Sequence, residues 1–346
     1  MTLEASPTTA AGEAASPWPH RWAVVLCCAT FPLLWVGGLI TTTDAGMAVP
    51  DWPNTYGYNM FAYPWQTWMF GPWDLFIEHG HRLLASLVGL LTIALLTVVC
   101  LREQRRWLVP LCVAALALVI FQGVLGGLRV VVNERLIAMA HGSTGPAFFA
   151  LTCALVVLTS RSRQATKTEQ TTNAVGHAGL AKLATLTAGL AYLQLVLGAS
   201  LRHVGASVGP WSFATLVKFH LAMAAIVAIH TLLVAWKTRR TPAASPSTRW
   251  IGGLLVVVVT AQVTLGFATW LAKYGAPRWA ADWLPATINP ITAGGWSQTH
   301  TVTAHSAIGS LLLGLLVTIA VIAWRRVPRR KPAESTLTSQ TLTTAT

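Results

Sequence analysis

Apolar residues form eight long runs along the chain, separated by shorter segments that are polar or rich in aromatic residues. These charge-free runs lie near residues 23–43, 83–101, 107–128, 136–160, 183–201, 219–236, 250–272 and 301–324. A helix needs about 20 apolar residues to cross the hydrocarbon layer of a bilayer, and open sheet edges are not tolerated in lipid. The pattern therefore predicts an all-α, polytopic membrane protein with eight transmembrane helices.

Composition supports this class and excludes a soluble domain. Of the 346 residues, 54% are hydrophobic and 10% are charged, and the mean hydropathy is +0.56. The net charge of +13 would also suit a nucleic-acid-binding protein, so its placement matters. With eight spans both termini lie on one side, and that side carries 17 of the 24 Lys and Arg residues. This is the positive-inside pattern, so we expect cytoplasmic termini and no nucleic-acid partner.

The segment before the first span predicts the compartment. Residues 1–17 lack the basic region of a signal peptide and the Arg-rich pattern of a transit peptide. We therefore expect a multi-pass protein of the bacterial plasma membrane. All five cysteines fall inside apolar runs, so no structural disulfide is expected.

An internal repeat divides the spans into two halves. The motif Gln-x-x-Leu-Gly recurs at Gln122–Gly126, Gln194–Gly198 and Gln262–Gly266, and the first span has a looser version that ends in Gly37-Gly38. Leu-Gly pairs are common in membrane helices, but recurrence at matching positions favours a repeat. We expect two pseudo-symmetric four-helix bundles. Their predicted boundaries are a disordered cytoplasmic N terminus at 1–20, an N-terminal half at 21–160, a cytoplasmic linker at 161–178, a C-terminal half at 179–325 and a disordered basic tail at 326–346.

Four histidines occupy equivalent depths in alternate spans: His81, His141, His220 and His305. One histidine on an apolar helix is usually a packing residue, but four in a repeated unit indicate a shared function. Each half would then place two imidazoles in a bundle core, an arrangement that holds cofactors. Imidazole is a good axial ligand of haem iron, whereas a zinc site is poorly supported because no cysteine or second carboxylate lies nearby.

The two halves differ in the residues beside these histidines. Glu78 stands three residues before His81 on the same helix face, and Arg82 follows it. We interpret them as an acid/base and an anion clamp, which makes the first half reactive and leaves the second half as a permanent electron-transfer site. The alternative is that Glu78 and Arg82 form an i,i+4 ion pair that closes a helix end.

Two further arginines follow Gln-x-x-Leu-Gly motifs at similar offsets, Arg129 and Arg202. Arginine binds carboxylates through two hydrogen bonds, so both are candidate clamps for haem propionates. Between the first two spans lies a loop, about 44–73, that is rich in Pro, Trp and Tyr. Loops of this length usually have a function, and a cap over a site is one such function.

Taken together, these features resemble the haem A synthase family over about residues 20–325. The resemblance is carried by Glu78-x-x-His81-Arg82, the Gln-x-x-Leu-Gly repeats, Pro50-Asp51-Trp52-Pro53 and the histidine in each even-numbered span. It implies an enzyme that oxidises the C8 methyl group of haem O to a formyl group by successive hydroxylations. It places Glu78, His81 and His141 in the substrate site and makes His220 and His305 the axial ligands of a haem b cofactor.

The implied partners are haem O, the protohaem farnesyltransferase that makes it, membrane lipid and an electron acceptor that the motifs do not specify. The sequence leaves open whether the protein forms a homo-oligomer. The chain departs from the family pattern in three ways: its first outer loop lacks a cysteine pair, Thr41 to Gly46 replaces a version that contains arginine, and His79 is additional. Two other functions also stay open, a di-haem b-type electron-transfer protein and a haem transporter or chaperone.

Overall fold

The structure, a computed structural model, describes residues 16–161, 174–205, 207–241, 244–275 and 295–327. Within these ranges, eight helices are long and apolar enough to cross a membrane, which confirms the predicted fold class. They are α1 (Trp18–Thr42), α3 (Trp73–Arg102), α4 (Leu108–Val132), α5 (Arg135–Thr159), α6 (Ala174–Arg202), α7 (Pro210–Arg240), α8 (Pro246–Tyr274) and α9 (Trp296–Trp324). A short helix, α2 (Trp65–Met69), lies in the loop after α1.

The helices extend beyond the charge-free runs that predict them. The run at 219–236 is bounded by Lys218 and Lys237, yet α7 continues past both. Long cationic side chains can lie along a helix end and reach the membrane surface, so they do not terminate it. For the same reason α6 begins inside the stretch predicted as a linker. Of the segments predicted to be disordered or linking, residues 1–15, 162–173 and 328–346 lie outside the described residues.

The helices contact one another in two closed rings. In the N-terminal bundle, α1 packs on α3, α3 on α4, α4 on α5 and α5 on α1. In the C-terminal bundle the same order holds for α6, α7, α8 and α9. The two bundles meet through α5 against α9, α1 against α9 and α5 against α6, so each contributes its first and last helix to the interface.

Small residues allow close approach at this interface. A Cβ atom added at Gly38 of α1 would lie 3.0 Å from the Thr303 side chain of α9. One turn further, the hydroxyl groups of Thr42 and Thr303 are 3.2 Å apart. Cys27 and Cys153 meet between α1 and α5 as free thiols, with their sulfur atoms 3.6 Å apart.

Each bundle has its larger aliphatic core near one end, and a smaller cluster of Leu39, Ile40, Ala45 and Ile77 lies at the other end of the N-terminal bundle. The fully buried residues of the N-terminal core include Leu26, Leu95 and Leu155, and those of the C-terminal core include Leu180 and Ile319. We call this end the terminus side, because α1 begins and α9 ends there. The four histidines lie toward the opposite end, the loop side, where residues 44–72 join α1 to α3.

The loop at 44–72 has its own small fold. Two short antiparallel strands, β1 (Asn54–Thr55) and β2 (Tyr58–Asn59), pair through a turn in which Tyr56 and Gly57 have positive φ. The Asp51 carboxylate accepts hydrogen bonds from the backbone N–H groups of Tyr56 and Gly57, at 2.8 and 2.7 Å. Although partial burial acts in the opposite direction, these bonds and the nearby Arg82 lower the pKa of Asp51 below its usual value.

On the terminus side, an ion pair closes the connection between α3 and α4. Arg105 donates to the carboxylate of Glu103 at 2.9 and 3.0 Å, and to the carbonyl oxygens of Leu158 and Thr159 at the end of α5. The side-chain hydrogen bonds from Arg105 lower the pKa of Glu103 below its usual value of 4.5, although burial opposes them. This cluster fixes three helix ends to one another.

We predict that Glu103→Gln destabilises the protein at neutral pH by about 1–3 kcal/mol, because a hydrogen-bonded charge is lost. The folded-state pKa of Glu103 is below that of the unfolded chain, so its contribution is present above pH 4.5 and disappears as the pH falls through the folded-state value. Thermal unfolding in detergent between pH 7 and pH 3 should therefore show the variant and the parent converging in acid. Arg106→Gln is the matched control, since the Arg106 side chain donates to the Cys100 carbonyl and, among the described residues, forms no ion pair. A difference between Glu103→Gln and the parent that stays constant with pH would contradict the assignment.

Candidate haem-binding site

Each of the four histidines packs against a glycine of the spanning helix that precedes its own. A Cβ atom added to these glycines would lie close to Cε1 of the imidazole, at 3.1 Å for Gly37 and His81, 3.1 Å for Gly126 and His141, 3.4 Å for Gly198 and His220, and 3.0 Å for Gly266 and His305. We call these four residues the seat glycines. At Gly37, Gly126 and Gly266 an added methyl group would force the imidazole to shift, whereas at Gly198 it would make an ordinary van der Waals contact, so the repeat has a steric meaning that is strictest at three of its four positions.

The sequence motif indicated a repeat but not this pairing of glycine with histidine. A signal for it was present at the tight turn between α4 and α5. Gly126 stands seven residues before Asn133, and His141 stands seven residues after Glu134. Asn133 adopts the left-handed conformation that ends α4, with φ 53°. The chain therefore reverses direction immediately, and Gly126 and His141 lie at the same depth in the bundle.

In the C-terminal bundle the two imidazoles face each other. The ring centres of His220 and His305 are 6.5 Å apart, and the ring planes are inclined by 70°. The side-chain amide of Gln194 lies 3.2 Å from both ring nitrogens of His220 and donates to its carbonyl oxygen at 3.0 Å. The first residue of the Gln-x-x-Leu-Gly motif therefore orients one histidine, and the last residue makes room for it.

In the N-terminal bundle His81 and His141 come from α3 and α5 and lie within electrostatic range of each other. Both residues are half-buried, and within the part of the chain that the structure describes, the Nδ1 atoms of His81, His141 and His305 are buried without a well-aligned hydrogen-bond partner. Here the side chain of the motif glutamine, Gln122, donates to the Thr144 hydroxyl, and it is the backbone of Gln122 that interacts with His141. The same layer of histidines thus recurs with a different arrangement of amides.

Glu78 and Arg82 form a buried ion pair at 2.8 Å, as the alternative interpretation of the sequence predicted. The structure adds the loop to this pair. Arg82 also donates to the carbonyl oxygens of Val49, Asp51 and Asn54 at 2.8, 2.7 and 2.9 Å, and the second oxygen of Glu78 accepts from the backbone N–H of Val49 at 2.9 Å. The two residues therefore attach the loop to α3, beside His81.

His79 attaches the same loop from another direction. Its ring is 1% exposed, contacts the Thr55 hydroxyl through Nδ1 at 3.2 Å, and packs on Trp68 and Tyr63 with ring centres 5.1 and 5.4 Å away. His79 thus faces the loop while His81 faces Gly37 of α1. The additional histidine of the sequence is a loop contact, separate from the layer of four.

The two candidate clamps lie at the loop-side ends of their helices. The guanidinium of Arg129 packs against Gly46 of the loop, within electrostatic range of the carboxylates of Glu78 and Asp44. Arg202 leaves the C-terminal bundle and donates to the Gly38 carbonyl of α1 at 2.6 Å and to the Thr42 hydroxyl. It also donates at 3.1 Å to Ser306, the residue after His305.

A model of the cytochrome oxidase assembly protein family matches residues 20–215, more than half of the chain. The chain belongs to this family. The matched range includes Glu78, His81 and His141, as well as Arg129 and Arg202, and it ends before His220 and His305. The pairing of the last two histidines is therefore an observation of the structure that the family match does not supply.

Curated relatives named Heme A synthase are similar to part of the chain. Identity is 31% over 137 residues for Listeria monocytogenes serotype 4a (strain HCC23), 30% over 137 residues for Listeria welshimeri, and 27% over 146 residues for Lysinibacillus sphaericus. These alignments cover 39 to 41% of this chain and 42 to 45% of each relative. The chain thus spans less than half the length of the relatives it matches. They confirm the resemblance to haem A synthases that the motifs indicated.

The residues of this family member fit an iron porphyrin. Two imidazoles that bind one metal from opposite faces, each with a metal–nitrogen distance of about 2 Å, have ring centres about 6 to 6.5 Å apart. His220 and His305 have this separation before any ligand is considered. Among the described residues, Nδ1 of His305 is buried without a well-aligned hydrogen-bond partner, whereas the Gln194 amide lies beside both ring nitrogens of His220.

We predict that Gly126→Ala displaces the His141 ring, because the new methyl group would lie 3.1 Å from Cε1. Overpacking of this kind costs about 1–3 kcal/mol. Gly123→Ala is the matched control on the same helix, where an added Cβ meets no atom within 4 Å, and alanine should stabilise the helix there by up to about 1 kcal/mol. Thermal unfolding of both variants in detergent measures the difference, and equal melting temperatures would contradict the seat assignment.

Proposed function

We propose that this protein is a haem A synthase, which oxidises the C8 methyl group of haem O to a formyl group. The observation that carries the proposal is the layer of four seated histidines, two in each bundle, with the His220–His305 pair at the spacing of axial ligands. Membership of the cytochrome oxidase assembly protein family and similarity to relatives named Heme A synthase support the same reaction.

The reaction requires redox chemistry that side chains cannot supply alone. Conversion of a methyl group and one water molecule into a formyl group releases four electrons and four protons, in two successive hydroxylations and a loss of water. A haem b held by His220 and His305 would supply one-electron redox chemistry. The contribution of this chain is to bind, orient and shield, and to carry protons.

We assign the N-terminal bundle as the haem O site, with His81 and His141 as its ligands. Arg82 and Glu78 attach the loop at 44–72 beside His81, so the loop can exclude bulk water from this bundle. A carboxylate has about four lone-pair sites, and Glu78 uses two of them for Arg82 and Val49. Its remaining capacity can position a water molecule or accept a proton near the substrate.

The distribution of charge supports a location and a membrane orientation for this protein. Basic residues on the terminus side, such as Arg105, Arg239 and Arg325, follow the positive-inside pattern. We propose a bacterial plasma membrane protein with both termini in the cytoplasm, whose histidine layer lies in the outer leaflet. Haem O, its farnesyltransferase and the electron acceptor would then meet the protein from the membrane.

One observation favours a second candidate, a di-haem b-type electron-transfer protein. The seat glycine and histidine recur in both bundles with nearly equal spacing, as expected for two permanent haems. The asymmetry around His81 favours the enzyme, since Glu78, Arg82 and the attached loop have no counterpart at Val217 and Leu221 of α7. Extraction of pigments separates the two: haem b in both bundles, without haem O or haem A, would favour the electron-transfer protein.

We predict that His220→Ala and His305→Ala each abolish the low-spin b-type haem spectrum of the purified protein, because each removes one axial ligand. His230→Ala is the control: this histidine lies on α7 as well, ten residues beyond His220, on the terminus side. Visible absorption spectra of the reduced and oxidised proteins make the measurement. Retention of an unchanged spectrum in either ligand variant would refute the assignment.

We predict that Glu78→Gln keeps the b-type spectrum and lowers the formation of haem A at least tenfold, as expected when an acid/base group is lost. Cells that express the chain together with a source of haem O are extracted, and the haems are separated and quantified. Asp74→Asn, which changes an exposed carboxylate one turn earlier on α3, should leave haem A unchanged. Normal haem A formation by the Glu78 variant would show that the carboxylate is not catalytic.

A further inference from the structure

A polar cavity of about 110 Å³ lies at the junction of the two bundles, on the loop side. It is lined by Thr41, Thr42, Arg202, Lys273, Gln298 and Val302. These residues come from four helices, α1 of the N-terminal bundle and α6, α8 and α9 of the C-terminal bundle. The cavity therefore exists only because the two bundles are assembled.

Its position follows from the layer of histidines. Arg202 stands four residues after Gly198, the seat of His220, and Thr41 stands four residues after Gly37. On α9, Val302 precedes His305 by three residues. Three or four residues are one helical turn, about 5.4 Å. The cavity thus lies about one turn from the His220–His305 pair, toward the loop side.

Two cationic side chains meet at this cavity without a carboxylate to neutralise them. Over the described ranges the ion pairs are Glu78–Arg82 and Glu103–Arg105, so neither Arg202 nor Lys273 is paired with a described carboxylate. The acceptors of Arg202 are uncharged: a carbonyl oxygen and two hydroxyl groups. Arg202 is half-buried and Lys273 is exposed, so together they present two positive charges to an anion that approaches from the loop side.

The N-terminal bundle differs in the charges that surround its cation. Its cation at the matching level, Arg129, has the carboxylates of Glu78 and Asp44 within electrostatic range. The C-terminal bundle offers Arg202 and Lys273 instead, with the amide of Gln298 and the hydroxyl of Thr42 beside them. The Gln298 amide donates to the Ala272 carbonyl and the Thr42 hydroxyl donates to the Gly38 carbonyl, both at 2.9 Å, so the guanidinium and the ammonium are the donors suited to a carboxylate.

We propose that this cavity is a carboxylate-binding site, and that the carboxylate is a propionate of the porphyrin held by His220 and His305. The assignment of the propionate rests on the proposed haem site, whereas the affinity for a carboxylate does not. Because Arg202 also donates to Gly38 and Thr42 of α1, a bound propionate would connect the cofactor of one bundle to the neighbouring bundle. Free carboxylates share the same chemistry and are the other possible source.

The test compares haem b with its dimethyl ester, in which both propionates are neutral. Purified full-length protein is depleted of haem, and affinities are measured for the parent, Arg202→Gln, Lys273→Gln and Lys218→Gln. We expect both cavity variants to bind haem b about tenfold more weakly, as for the loss of one charge-assisted hydrogen bond, and to bind the ester as the parent does. Lys218→Gln is the matched control, since Lys218 is an exposed cation of α7 two residues before His220.

A second readout needs no haem. Sodium acetate is added to the haem-free protein, and thermal unfolding is followed against sodium chloride at equal ionic strength. We expect acetate to raise the melting temperature of the parent and of Lys218→Gln, and to have no such effect on the two cavity variants. If Arg202→Gln disturbs the bundle interface, the result for Lys273→Gln alone decides the test.

The outcomes separate this inference from the proposed function. If the parent binds no haem while acetate stabilises it through Arg202 and Lys273, the haem site fails and the carboxylate site stands. If the acetate effect is present but the variants bind haem b as the parent does, the carboxylate is a free anion and the propionate assignment is overturned. Equal losses for haem b and its ester, with no acetate effect, would overturn the site itself.

Discussion

The contact on which this structure depends is an imidazole packed against a glycine of the neighbouring helix. Four such contacts, three of them too close for an added methyl group without a shift of the ring, join each histidine to the spanning helix that precedes its own. Without them the four imidazoles would be pushed out of the bundle cores or turned toward lipid. A polar ring within a membrane needs a partner. The contact with glycine makes room for the imidazole and keeps it inside the bundle core, where a second imidazole lies.

Much of this architecture could be predicted from the sequence, because a bilayer imposes one length and one backbone solution on every span. The eight helices, the recurrence of Gln-x-x-Leu-Gly and the equal depth of four histidines all follow from the order of residues. The helix ends were less predictable, since Lys218 and Lys237 lie inside α7 although they bound its apolar run. Side-chain length, which lets a cation reach the membrane surface, decides those ends.

Contacts that join distant parts of the chain were out of reach of the sequence patterns. The ion pair of Glu78 and Arg82 could be predicted from an i,i+4 spacing, but its further bonds to Val49, Asp51 and Asn54 depend on the path of a loop. Arg202 was recognised as a candidate clamp from its offset, whereas its reach to Gly38 of the other bundle required the assembled interface. Local periodicity indicates the side of a helix on which a residue lies. It does not indicate which residues of other helices or loops that residue contacts.

The location of the aliphatic cores has a mechanical consequence. Each bundle has its larger aliphatic core on the terminus side, around residues such as Leu26 and Ile319, while its loop side is held by hydrogen bonds, glycine contacts and aromatic rings, with a smaller apolar cluster around Ile40 and Ile77 in the N-terminal bundle. Regions with few buried apolar contacts open at lower free energy than a packed core. The loop side of each bundle is therefore expected to open at lower free energy than the terminus side.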